Sequence, residues 1–73
     1  MKSDTFNYAQ LGLNIRTRRL EKHLTQSELA RKAGCTAGTV SRLERGACSV
    51  SVKLLFDLAD ALKCRASELV EGV

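Results

Sequence analysis

Read for its apolar and polar positions, the chain divides into five stretches with helical spacing, each separated from the next by a short break. Leu11, Ile15 and Leu20 recur at near-helical intervals with Arg16, Arg18 and Lys22 off that stripe, which predicts a first helix over residues 7–22. It ends at His23, a slot suited to a left-handed or otherwise non-helical turn, which His tolerates better than branched residues do. Thr25 then reads as an N-cap with Glu28 three residues on, a capping box opening a helix over 26–33. Leu24 is placed to staple onto Leu29, with Leu29, Ala30 and Ala33 facing inward and Gly34 as a left-handed stop. Thr36 caps a third helix, 37–44, whose inner stripe is Val40 and Leu43 and which ends at Gly46. After a loop at 47–50, Ser51 caps a fourth helix, 52–62, where Val52, Leu55, Leu58, Ala59 and Leu62 repeat. A short fifth helix, 66–71, points Leu69 inward. Residues 1–7 read as a flexible N-terminal arm and residues 8–73 as one domain, without internal repeats or a low-complexity linker.

Composition agrees with an all-α fold. Proline is absent, aromatics are 4% and the hydrophobic 44% is mostly Leu, Ala and Val, a mix that favours helices over a β-sandwich. With 73 residues there is material for one small core. No apolar run approaches a membrane span and no signal peptide precedes the domain, so the expected compartment is the cytoplasm.

The net charge of +4 is unevenly placed. Residues 16–45 carry eight basic residues (Arg16, Arg18, Arg19, Lys22, Arg31, Lys32, Arg42, Arg45) against Glu21, Glu28 and Glu44, whereas residues 46–73 are slightly acidic. The basic half is the candidate surface for a polyanion, or else an ordinary solvated face. Cys35, Cys48 and Cys64 form no C-x-x-C pair, and one His cannot complete a usual zinc set. They read as free thiols, Cys35 and Cys64 as small core residues and Cys48 in a loop; redox sensing by Cys35 or Cys48 is a weaker reading. No metal or other cofactor is expected. One His, no paired carboxylates on a cleft and no phosphate-binding Gly loop argue against an enzyme.

The second and third helices are joined by only Gly34-Cys35-Thr36, and the small Ala30 permits a close, steep crossing. This is a helix-turn-helix arrangement, whose second helix is narrow enough on its outer side for the DNA major groove. Over these residues the chain resembles the phage-repressor and Cro-like (XRE-type) family. Leu24-Thr25-Gln26-Ser27-Glu28-Leu29-Ala30 is similar to its L-T-Q-x-E-L-A signature. Gly34, the run Val40 to Gly46, Ser51, Leu55 and Ala59 to Leu62 follow in register, and Leu11-Gly12 and Ile15-Arg16 match its first helix. The resemblance spans about residues 8–70. It implies a five-helix repressor-like bundle that binds double-stranded operator DNA, usually palindromic, as a homodimer, and acts as a transcription regulator, most often a repressor.

The resemblance and the residue chemistry together nominate a site. Arg42, one turn beyond Gly38 on the outer face of the third helix, is suited to bidentate contact with guanine, with a phosphate contact as its alternative. Thr36 and Thr39 are placed to touch a phosphate or a thymine methyl, though Thr36 has a capping role as well. Gln26, at a helix N-terminus, is placed for a phosphate, as are Arg45 and Lys53 flanking the loop and Arg16 on the first helix. Family resemblance pairs Arg19 with Glu44 as a structural ion pair. Leu54, Phe56, Val70 and Val73 are candidates for a dimer surface, or else ordinary core and scattered apolar residues.

Three departures bear on these expectations. Val50 stands where many relatives have Pro, and Lys63 where Gly is frequent. Ala37 and Gly38 occupy positions that in relatives often hold base-reading polar side chains, and neither can make such a bond. Readout is therefore expected to lean on phosphates, DNA shape and the close backbone approach that Gly38 permits. Several antitoxins resemble the same family, which makes a toxin protein a second candidate partner. No extended tail follows residue 73, the commonest place for a toxin-wrapping segment, so this reading ranks below the first.

Overall fold

A computed structural model describes residues 6–73 as five helices: α1 (Tyr8–Glu21), α2 (Gln26–Ala33), α3 (Ala37–Glu44), α4 (Val52–Ala61) and α5 (Ala66–Leu69). No strand occurs among the described residues. Of the arm expected at residues 1–7, residues 1–5 lie outside the described residues. Asn7 is the N-cap of α1, its side-chain oxygen accepting from the Gln10 N–H at 3.0 Å, and its own N–H donates to the Val73 carbonyl at 3.1 Å.

The helix starts follow local chemistry. Thr25 Oγ1 accepts from the Glu28 N–H at 3.0 Å while the Glu28 carboxylate accepts from the Thr25 N–H at 2.8 Å. The bonds from the Thr25 backbone and then its hydroxyl hold the Glu28 carboxyl below its ordinary pKa. A depressed folded-state pKa means the box is intact above the ordinary carboxylate range and weakens as pH falls through the lowered value. Thr36 and Ser51 cap α3 and α4 in the same manner, accepting from Thr39 N–H and Leu54 N–H. Gly34 stops α2 at φ 77°. His23 (φ 59°) and Lys63 (φ 55°) turn the chain after α1 and α4 in left-handed conformations that cost a residue with a Cβ about 1–2 kcal/mol.

The core is Leu11 and Ile15 of α1, Leu29, Ala30 and Ala33 of α2, Val40 and Leu43 of α3, Leu58, Ala59 and Leu62 of the α4 region, and Leu69 of α5. Three residues expected on inner stripes are not in it: Leu55 is half-buried and packs against it, and the other two are exposed. Leu20 is 52% exposed, and Arg19 takes the inner position instead. Five residues beyond Ile15 is about 140° around a helix, whereas four is about 40°, so Leu20 cannot share that face. Val52 is 70% exposed: it lies on the α4 stripe, but in the first turn, where no other element covers it. The fifth helix ends at Leu69 rather than at residue 71. Asn14 Nδ2 donates to the carbonyls of Leu69 and Glu71, both at 2.9 Å, and this ties the C-terminal turn back to α1.

The recognition half is fixed to the scaffold by a charged contact. Arg19 Nε and Nη2 donate to the two carboxylate oxygens of Glu44 at 2.6 and 3.0 Å, and Arg19 Nη1 donates to the Leu24 carbonyl at 2.9 Å. The side chains retain only 11% and 4% of their exposure. Gly12 lets α1 approach closely here, since a Cβ at that position would fall on the Leu43 carbonyl oxygen and lie 2.6 Å from that of Glu44.

Removing one member of a buried pair strands the other. Arg19→Met is expected to lower stability by about 3–5 kcal/mol in urea denaturation, and a second change, Glu44→Leu, to restore much of it. A loss below about 1 kcal/mol would assign the pair the weight of a surface bridge. Lys63→Gly is expected to raise the unfolding free energy by about 0.5–1 kcal/mol by relieving the left-handed strain, against a small gain in unfolded-state entropy.

Candidate nucleic-acid interface

Eight-residue helices α2 and α3 are linked through Gly34, Cys35 and Thr36. The Cys35 N–H donates to the Ala30 carbonyl at 2.9 Å, which fixes the turn. Burial, with the nearby Asp57 carboxylate second, pushes the Cys35 thiol above its ordinary pKa, and burial does the same at Cys64. Both remain neutral thiols and hence poor nucleophiles at neutral pH. Among the described residues no group of three His, Cys, Asp or Glu side chains is placed to hold a metal.

With Val40 and Leu43 turned into the core, α3 presents Thr36, Thr39 and Arg42 along its other side at successive three-residue steps. They are linked. Thr36 Oγ1 and Thr39 Oγ1 share a hydrogen bond at 3.0 Å, and Arg42 Nη2 donates to Thr39 Oγ1 at 3.5 Å. The guanidinium thus lies back along the first half of α3, beside the exposed Gly38. Arg45, exposed at the end of the helix, donates through Nε to the Ser41 carbonyl at 3.3 Å.

Gln26 heads α2 and is half-buried, and its Nε2 donates to Glu44 Oε1 at 3.1 Å. One amide N–H is therefore spent on the scaffold, and the second remains near the unpaired N–H groups of the α2 N-terminus. This bond joins residues 18 apart in the chain and has no local signal in the sequence. Lys53 on α4 is exposed and pairs with Asp57 at 2.8 Å in an i,i+4 bridge. Such an exposed bridge holds its lysine weakly. Arg16 is exposed on α1. Arg18 is engaged elsewhere, 3.7 Å from Glu68 of α5.

The proposed dimer residues divide. Phe56 is 58% exposed, whereas Leu54, Val70 and Val73 are half-buried and pack against the core.

The likenesses to known proteins centre on this arrangement. The helix-turn-helix family matches residues 15–69. The HTH-type transcriptional regulator y4dJ of Sinorhizobium fredii is 40% identical over 60 residues, covering 82% of this chain and 78% of the relative. Among solved structures, the restriction-modification controller protein C.AhdI of Aeromonas hydrophila superposes with a TM-score of 0.83 at 34% identity, covering 85% of this chain and 94% of that one. The P22 c2 repressor, solved in complex with a synthetic operator, superposes with a TM-score of 0.80 at 28% identity, covering 86% and 96%. A family match over most of the chain, on a fold whose α2–turn–α3 unit is built as described, makes this protein a member of the helix-turn-helix family and a transcriptional regulator of the phage-repressor type.

Proposed function

We propose that the protein is a repressor that binds a two-fold symmetric operator as a homodimer, in the bacterial cytoplasm, with α3 of each protomer in the major groove. The observation that carries this reading is the outer Thr36–Thr39–Arg42 face, with Thr36 and Arg42 exposed, on a helix whose last turn is locked to α1 through Glu44. Arg42 reads a base, Thr36 and Thr39 contact a thymine methyl or a phosphate, and Gly38 brings the α3 backbone close to the groove. Gln26, Arg45, Lys53 and Arg16 bind phosphates and set the register of the domain on the duplex. The operator complex of the P22 c2 repressor supports this placement by likeness.

One short helix reads few bases, so a symmetric pair of helices about 34 Å apart, in successive major grooves, supplies the remaining specificity. Phe56 is the exposed apolar residue offered for that pairing, with Leu54, Val70 and Val73 beside it in sequence or at the C-terminus.

Selection of bound duplexes from a random pool is expected to return a palindrome-like site. On that site Arg42→Ala should lose about 1–3 kcal/mol and relax the preference at one position per half-site, while Lys53→Ala should weaken specific and random DNA about equally. Equal loss on both DNAs for Arg42→Ala would remove its base-reading role. Phe56→Glu is expected to shift sedimentation equilibrium toward monomer and to lower operator affinity; an unchanged dimer would place the interface elsewhere.

A further inference from the structure

Of the five glycines in the chain, four have a reason within the fold. Gly12 lies against the α3 carbonyls, and Gly34, Gly46 and Gly72 have positive φ. Gly38 has neither. It is the second residue of α3, with ordinary helical backbone, is exposed, and a Cβ built on it would meet only Arg42 Nη1 at 3.6 Å and Thr36 Oγ1 at 3.8 Å. Both are ordinary van der Waals separations, so alanine fits the free protein without displacing anything. Glycine inside a helix nevertheless weakens it relative to alanine, and α3 has only eight residues over which to absorb that loss.

From this mismatch we infer that Gly38 is a specificity-determining residue, whose missing methyl group leaves room for a pyrimidine C5-methyl of the bound DNA. The inference rests on the major-groove placement of α3 given above. The space that the absent Cβ leaves is open on its outer side. Its sides are the Thr36 hydroxyl and the Arg42 guanidinium, and it lies where the α3 backbone faces outward. A base methyl seated over the Gly38 Cα makes the contact that an alanine Cβ would make, and it packs against the guanidinium as that group reaches the neighbouring base. The C5-methyl is the one apolar feature of a base edge in the major groove, and it is carried by thymine and by 5-methylcytosine. An alanine at position 38 would occupy the same space and hold the helix away from the base.

The test compares the 73-residue wild-type chain with Gly38→Ala, on the site the wild type selects and on random duplex. The variant is expected to melt at or above the wild-type temperature, to bind the selected site at least tenfold more weakly, and to lose clearly less on random DNA. Replacing the thymines of a half-site one at a time by deoxyuridine should reveal one position where loss of the methyl weakens wild-type binding several-fold and leaves the variant unaffected. If the critical position is a cytosine, installing 5-methylcytosine should instead strengthen wild-type binding alone. Equal affinity of the two proteins for the selected site overturns the inference and leaves the DNA-binding reading standing. So does a variant that melts well below the wild type, since the glycine then serves the fold, and so does a site at which no methyl matters. A wild-type chain that selects no DNA overturns both.

Discussion

The contact on which the rest of the molecule depends is the charged node at the end of α3. The Glu44 carboxylate accepts from Arg19 Nε, Arg19 Nη2 and Gln26 Nε2, and the third arm of the guanidinium donates to the Leu24 carbonyl. The last turns of α1 and α3, the segment leading into α2 and the first residue of α2 thus meet at one carboxylate. Apolar packing alone tolerates small rotations and slides. A planar guanidinium paired with a carboxylate does not, because both hydrogen bonds form together at only one relative orientation. Burial makes that selectivity severe, since a misaligned pair leaves charge in a site nearly closed to water.

With its C-terminal end pinned and Val40 and Leu43 sunk in the core, α3 is held so that its other side carries the candidate reading residues. That side is chemically sparse. It offers two hydroxyls, one guanidinium, an alanine and a glycine. The two hydroxyls share a hydrogen bond, and the exposed Arg42 guanidinium lies beside them at 3.5 Å from Thr39 Oγ1, a contact too long to hold it against solvent. Gln26 connects the two functions: one of its N–H groups completes the node, and the rest of the amide lies at the positive end of α2, where an anion is favoured.

The sequence disclosed most of the fold because most of its signals are local. The Thr25–Glu28 box, the Thr36 and Ser51 caps and the left-handed slots at His23 and Gly34 involve residues within one turn of one another, and each stands in the structure where the chain order put it. Burial was less legible. Val52 is apolar and periodic, yet whether a face is covered depends on what packs across it; Leu20 is apolar but a five-residue step off the stripe, and the inner place on α1 goes to an arginine. The short α5 was over-extended for a similar reason, because the group that ends it, Asn14, lies 55 residues away from Leu69. In the candidate site the residue types were readable and their connections were not. The Arg19–Glu44 contact was available only through family resemblance, the Gln26–Glu44 bond through neither route, and the idle space at Gly38 only once its neighbours had positions.

If the α2–turn–α3 face is the surface that meets DNA, backbone amide chemical-shift mapping of the 73-residue chain, titrated with its selected duplex, will show it. The largest shifts are expected at Gln26 and along Thr36 to Arg45, with smaller ones at Arg16 and Lys53 and almost none in α5. Largest shifts on α4 and α5, with the α3 amides unmoved, would contradict it.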